Sequence, residues 1–510
     1  MLQQKEPMAD PQKSYDALLA SLKQIALLGS VSSILGWDER TQLPPKGFEH
    51  RANQSSMLAK MIHDWFTSPA IDNLLAEVET SALVADPVSD AAVNARETRR
   101  AYDRAVKLPG SLVEEMSRTE VLAQQAWGEA RKKNDFPMFQ PWLEKWVKLK
   151  QQEAKCVGYK SNPYDALLDQ FEPGETAEGV RSTFESLRGP LVELVGKIVG
   201  SGRKAPVEIL ERQYPPAAQE KLAREAAAAV GFDFAAGRLD VSIHPFCSGL
   251  GPGDTRLTTR YDERYFGDAF FGVLHETGHG LYAQGLEVEH FGTPRGEAIS
   301  LGIHESQSRM WENLVGRSRS FWRYFMPRAR AAFPDTLRDV SDDDWYFAIN
   351  DVRPSLIRTE ADEATYNLHV LLRFELEEAM LKGDLAPADL PGAWTEKMQK
   401  YLGLTPPDDA RGCLQDIHWS GGAIGYFPTY TLGNLFAAQF FEQARKDLGD
   451  LDAQFAAGEF APLLGWLRKN IHRHGKKYLP RQLVKNVTGA DLSAEPLLRH
   501  LRKKAELYGI

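Results

Sequence analysis

A chain of 510 residues is long enough for a large buried core, and length alone divides it into two to four domains. Its 43% hydrophobic and 26% charged residues are those of an ordinary globular protein, and a formal net charge of -9 argues against whole-protein attraction to nucleic acid or an anionic membrane. Three cysteines, Cys156, Cys247 and Cys413, form no C-x-x-C pair, so no disulfide framework or thiolate metal site is expected and a reducing cytoplasm fits.

In chain order, the start "MLQQKEPMADPQKSYDALLA" has no basic segment followed by an apolar one, so no signal peptide is expected. No run of about 18 apolar residues is found, and no membrane span is expected. "SYDALLASLKQIALLGSVSSIL" places Leu18, Leu19, Leu22, Ile25 and Leu28 on one face of an amphipathic helix. "TFESLRGPLVELVGKIVG" and "QEKLAREAAAAVG" repeat that pattern. "LDVSIHPFCSGLGPGDTRLTTRYD", Leu239 to Asp262, departs from it: two short alternating runs around a Gly/Pro-rich turn predict a small β-ribbon. "NLHVLLRFELEEAMLKG" returns to helix and stops at Lys382-Gly383, and "LTPPDDARG" reads as a loop. The basic stretch Arg468 to Asn486 is read as a solvated or salt-bridging surface in preference to a nucleic-acid contact. No repeat or linker is visible. The expectation is a mostly α protein with one body in two lobes: N-terminal helices over 1–235, a catalytic core over 236–435 and C-terminal helices over 436–510.

The chemistry concentrates in "FGVLHETGHGLYAQGL", Phe271 to Leu286. His275 and His279, four apart on a helix, project from one face and can share one Zn²⁺. Glu276 lies about 100° round the helix from His275, where it can serve an activated water as base. Gly278 and Gly280 each cost about 1 kcal/mol inside a helix, which points to something approaching its backbone closely. A catalytic zinc site takes three protein ligands and leaves one position open. The H-x-x-G-x-x-H extension fails, because Tyr282 and Gly285 occupy its glycine and third-histidine positions. A carboxylate on a following helix, Gly296 to Gly316 ("GEAISLGIHESQSRMWENLVG"), is the alternative, with Ile299, Ile303, Met310 and Leu314 on its buried side. Glu305 is favoured by spacing, and Glu297 and Glu312 compete with it.

Six motifs in order carry a resemblance: "HPF" (His244–Phe246), "DTRLT" (Asp254–Thr258), "HETGH", "HESQ" (His304–Gln307), "IRTEAD" (Ile357–Asp362) and "GCLQDIHW" (Gly412–Trp419). "LGWDERTQLPPKG" and "YDALLDQFEPG" add to it outside the catalytic half. The chain resembles the M32 carboxypeptidases over nearly its full length, with no departure at a motif position. The resemblance implies a gluzincin, neurolysin-like two-lobed helical fold with a deep groove. It implies zinc at His275, His279 and Glu305, Glu276 as general base, and a homodimer.

The expected reaction is release of C-terminal residues from peptides with a free C-terminus. His418, Tyr426 and Tyr430 are candidate donors to the oxyanion. Arg358, Arg353 and, behind them, Arg256 are candidates for the terminal carboxylate, the alternative for Arg358 being an internal pair with Asp362 or Glu360. His244 is expected either to line the groove or to be a hydrogen-bonded core histidine. Asp254 is expected to orient a ligand imidazole or to cap a turn. Cys247, with no base in sight, is read as packing. Zinc is the expected metal, with cobalt possible. The rival readings are an oligo-endopeptidase of the neurolysin type and a metal-free peptide-binding scaffold.

Overall fold

The computed structural model describes residues 10–510 of the chain; the rest of the stretch read above for a signal peptide lies outside the described residues. Helices follow one another along most of the chain and enclose one small sheet. The expected helices form: Pro11–Thr41, Ala177–Gly200, Pro216–Ala229 and Thr365–Lys382. The last ends where the sequence places its stop, with Gly383 in the left-handed region at φ 84°. Contrary to expectation, Pro11–Thr41 contains an 18-residue stretch long and apolar enough to cross a bilayer by length and composition. Its Gly, Ala and Ser interrupt the large apolar side chains without adding charge.

The ribbon is a three-stranded mixed sheet, one strand more than expected. Strands β1 (Gly237–Val241), β2 (Cys247–Gly251) and β3 (Asp254–Thr259) lie in the order β1-β3-β2. β1 runs parallel to β3 with Gly237 opposite Thr255; β2 runs antiparallel with Cys247 opposite Leu257. The alternation that reveals a hairpin says nothing of a parallel neighbour, which is why β1 is not separately visible in the sequence.

A small core of Leu18, Leu22, Ile71, Leu75, Val78, Ala95 and Tyr102 belongs to the first helices alone. A second, continuous core runs from Leu112 to Tyr508, so residues on both sides of 235 and of 435 share it. Periodicity marks the buried face of each helix but not which other helix meets it.

The first helix reaches the sheet through Trp37, whose ring lies between Arg256 (4.4 Å) and Arg238 (5.1 Å). The basic stretch is engaged in part by ion pairs, while Arg468 and Lys469 are exposed. Arg481 pairs with Glu175 (2.6 Å), Lys476 with Glu297 and Lys485 with Asp491 (3.1 Å), while His472 is fully buried.

Candidate active site

The helix Phe266–Ala283 is clamped into the core by Phe266, Phe270, Phe271, Val273, Leu274 and Leu281, all buried. A carboxylate helix crosses it at Gly278, where an added Cβ would meet the backbone of Gln307 and Ser308 at 2.5 Å. At Gly280 it would meet Phe232 at 2.7 Å. Both glycines therefore serve close approach. The crossing helix is Leu301–Arg309, shorter than expected: Ser300 caps it by accepting from Ile303 N–H (3.0 Å), and residues before Ser300 are not helical. From Met310 to Val315 the chain winds as a π-helix, a form found at functional sites and the segment that carries Glu312.

This crossing places Glu305 Oε2 3.4 Å from His279 Nε2 and 3.6 Å from His275 Nε2. Tetrahedral ligands about 2.0–2.1 Å from one ion are separated by about 3.3–3.4 Å, so the three side chains fit a small divalent cation. Glu276, 7% exposed, stands beside them. Burial raises its pKa, against the pull of His275 and His279. Glu297 is half-exposed and pairs with Lys476, so it is no ligand.

Glu312, the other competitor, stands behind the ligands. Its Oε2 is 2.8 Å from His275 Nδ1, which orients the imidazole so that Nε2 faces the metal position. His279 Nδ1 meets His304 Nδ1 at 2.5 Å, so a neutral imidazole does for one ligand what a carboxylate does for the other. Arg309 donates through Nε to Glu305 Oε1 (2.7 Å) and through Nη1 to Glu312 (3.3 Å). Burial pushes both carboxyls up, but Arg309 and the imidazoles prevail, holding Glu312 at about 2 and Glu305 well below the usual range. Burial lowers the His304 pKa to about 3 and so keeps that ring neutral.

A second group lies against the first. The His418 and Tyr426 rings are 5.4 Å apart, those of Tyr426 and Tyr430 also 5.4 Å, and Tyr430 Oη is 3.5 Å from His418 Nε2. The Glu305 carboxylate is near enough to add to the rise that burial causes in the Tyr426 pKa. Asp416 anchors the approach to this segment. Its Oδ1 accepts from Arg358 Nε (3.0 Å) and Nη2 (2.8 Å), and its Oδ2 from Arg373 Nε (2.7 Å).

A family model for the carboxypeptidase Taq (M32) metallopeptidases matches residues 17–505. The chain belongs to the M32 metallopeptidases. It is 50% identical to thermostable carboxypeptidase 1 of Thermus thermophilus over 98% of this chain and all of that one. It is 38% identical to carboxypeptidase 1 of Bacillus subtilis over 96% and 97%. Among solved structures, the M32 carboxypeptidase of Deinococcus radiodurans superposes with a TM-score of 0.94 at 41% identity, covering 98% of this chain and all of that one. Metallocarboxypeptidase 1 of Trypanosoma cruzi gives 0.92 at 36%, covering 96% and 99%. The chain is therefore a metallocarboxypeptidase, a peptide hydrolase that uses a divalent metal, and the endopeptidase alternative is not favoured.

In this M32 chain the sequence-derived candidates are brought together unevenly. His275, His279, Glu305 and Glu276 form one centre, with His418, Tyr426 and Tyr430 as a second group. Arg358 is 5% exposed and committed to Asp416 and Tyr366; the internal partner is Asp416, not Asp362 or Glu360. Arg353 keeps a side chain 62% exposed and lines a cavity with Tyr265, Arg309, Glu312 and Tyr366. Arg256 is spent on Asp254 and Trp37, and Asp254 in turn neither caps a turn nor orients an imidazole. His244 is exposed on the β1–β2 connection, not a core histidine. Cys247 lies close enough to Glu276 to feel its charge; burial, then Glu276, holds its thiol protonated, as a packing residue requires. The partner roles of Glu312 and His304 are missed by motif reading; their signal is only that His304 precedes Glu305 and Glu312 follows it by seven residues.

Proposed function

We propose that the metal is zinc and that His275, His279 and Glu305 hold it while the enzyme removes one C-terminal residue from a peptide at each turnover. The observation that carries this is one carboxylate oxygen of Glu305 within 3.6 Å of both histidine Nε2 atoms, with buried Glu276 alongside. The ion supplies Lewis acidity, making water acidic near neutral pH and polarising the scissile carbonyl. Glu276 takes the proton of the attacking water and returns it to the leaving amine; burial, by raising its pKa, makes it a stronger base. His418, Tyr426 and Tyr430 offer donors to the oxygen on which negative charge develops.

Arg353 meets the substrate's terminal carboxylate. Its Nε is 3.1 Å from Asp351 Oδ2, but the side chain is otherwise exposed and reaches the cavity, whereas Arg358 and Arg256 are engaged internally. Exposed His244 lines the approach to the groove. The three free cysteines support a reducing, cytoplasmic setting, and assembly as a homodimer follows from the resemblance.

The test uses metal-depleted enzyme reloaded with zinc or with cobalt, and paired peptides with free and amidated C-termini. A C-terminal ladder that returns with zinc, is absent on the amidated peptide and is weakened about 10–100-fold in KM by Arg353→Gln is expected. Equal KM for that variant and wild type would remove Arg353 from the role. A ladder restored by cobalt and not by zinc would overturn the choice of metal.

A further inference from the structure

Glu377 sits within the helix Thr365–Lys382, fully buried, with no Lys, Arg or His of the described residues within ion-pair distance. An unpaired carboxylate in a core is costly unless its oxygens are fully served by donors. Here they are. Tyr164 Oη donates to Oε2 (2.7 Å), Gly425 N–H donates to the same oxygen (3.1 Å) and Trp419 Nε1–H donates to Oε1 (2.7 Å).

The origin of two of those donors matters. Trp419 follows His418 in the chain, and Gly425 precedes Tyr426. Two of the three side chains proposed above to face the reacting carbonyl, His418 and Tyr426, are thus each one residue from a group that Glu377 holds. The segment between is irregular: a short 3₁₀ turn over His418–Gly421 and then a loop. Gly425 is left-handed at φ 93°, and a Cβ there would meet the backbone of Leu167 and Leu168 at 3.0 Å. An irregular segment has no ladder of its own to fix the spacing of its ends, so something outside must do it. The third donor, Tyr164, is rooted in the core against Phe374 (rings 5.5 Å apart), which ties the carboxylate itself in place.

We propose that Glu377 is a positioning residue: its carboxylate, by gripping Trp419 and Gly425 together, sets the distance between His418 and Tyr426 across the active site. Burial raises the Glu377 pKa to about 7 against the pull of these donors, and above that pH the anionic side chain receives all three on its two acceptor oxygens. An amide turns an N–H toward one of them and must release either Trp419 or Gly425. This inference rests on the reading that His418, Tyr426 and Tyr430 serve the reaction, and the experiment separates the two.

The metal-loaded full-length enzyme is compared with Glu377→Gln and with Trp419→Phe, which removes one donor and keeps the ring. Hydrogen exchange followed by mass spectrometry reads the backbone directly, and steady-state kinetics and metal content are measured on the same samples. The expected result in both variants is exchange about tenfold faster over residues 418–430, unchanged exchange over 271–283 and full metal content. kcat falls at least about tenfold, with KM within about twofold of wild type. Unchanged exchange over 418–430, or faster exchange spread evenly over the molecule, would overturn the inference, as would a loosened segment with wild-type kcat. Wild-type kcat in His418→Ala and in Tyr430→Phe would instead overturn the reading of the site beneath it.

Discussion

The metal cradle and the segment that faces it bury their carboxylates by opposite means. In the cradle, Glu305 and Glu312 meet Arg309, and Glu312 lies 3.6 Å from Arg317. With Glu276, three carboxylates face two guanidiniums; against burial, Glu305 and Glu312 raise the His275 pKa to about 9, so the surplus of carboxylate is met by a proton that a bound divalent cation would replace. The segment carries no such surplus: Asp416 is over-compensated by Arg358 and Arg373, and Glu377 is held by neutral donors alone. The difference teaches that burial of charge has two uses in one site. Where a cation must bind, negative charge is left incompletely matched. Where a side chain must only be aimed, charge is matched or spread over hydrogen bonds, and nothing remains to attract an ion.

The comparison can be broken at either side. The largest effect is expected at the cradle's base: Glu276→Gln keeps shape and metal content while kcat falls by about 10²–10⁴-fold. Full metal occupancy with more than a tenth of wild-type kcat would remove Glu276 from proton transfer. On the segment, Asp416→Asn leaves two buried guanidiniums without their anion and should cost about 3–5 kcal/mol in denaturant unfolding, with the cradle's metal affinity unchanged. A loss under about 1 kcal/mol would show that the clamp is not what holds this approach. A smaller effect follows from Glu312→Gln, which weakens the acceptor behind His275. Chelator competition should show metal binding about 10–100-fold weaker, with kcat of the fully loaded enzyme changed far less. If affinity is untouched, the 2.8 Å contact orients nothing.

How far the sequence carries depends on whether an interaction is local. His275, Glu276 and His279 are fixed by helical spacing, and the two glycines beside them announce a close crossing. Glu305 is reachable because its helix follows after one loop, although the helix begins at Leu301 and turns to π at Met310, details that no periodicity carries. The segment is a different case. Glu377 stands between Leu376 and Glu378 in a helix buried on nearly all sides, and its partners are 213, 42 and 48 residues distant. Arg358 is assigned to substrate because an arginine in a motif invites that reading. Its true partner, Asp416, lies 58 residues away in another motif, so both motifs are explained by one ion pair. The third strand is missed for the same reason: pairing across the fold leaves no mark in the order of residues.

The smallest effect expected is a matter of pH and belongs to neither carboxylate group. His472 is fully buried against the helix that carries Glu305, its Nε2 2.9 Å from Gln307 Oε1. Burial, with the nearby Arg468 charge adding to it, lowers its pKa from 6.5 to about 3. In the unfolded chain the same imidazole takes up its proton near pH 6.5. Between pH 6.5 and 3 the unfolded state therefore binds more protons than the folded one, and stability is lost as pH falls through that window. His304 and His418, with pKa values lowered to about 3 and about 4, act in the same sense, so the wild-type slope is a sum in which His472 is one part. His472→Gln does not titrate. Its stability, measured by denaturant unfolding at intervals from pH 7.5 to 4.5, should fall less steeply than wild type by about 1 kcal/mol per pH unit below 6.5. Parallel curves for the two proteins would mean that His472 is protonated in the folded state, and that its contact with Gln307 is made by the charged ring.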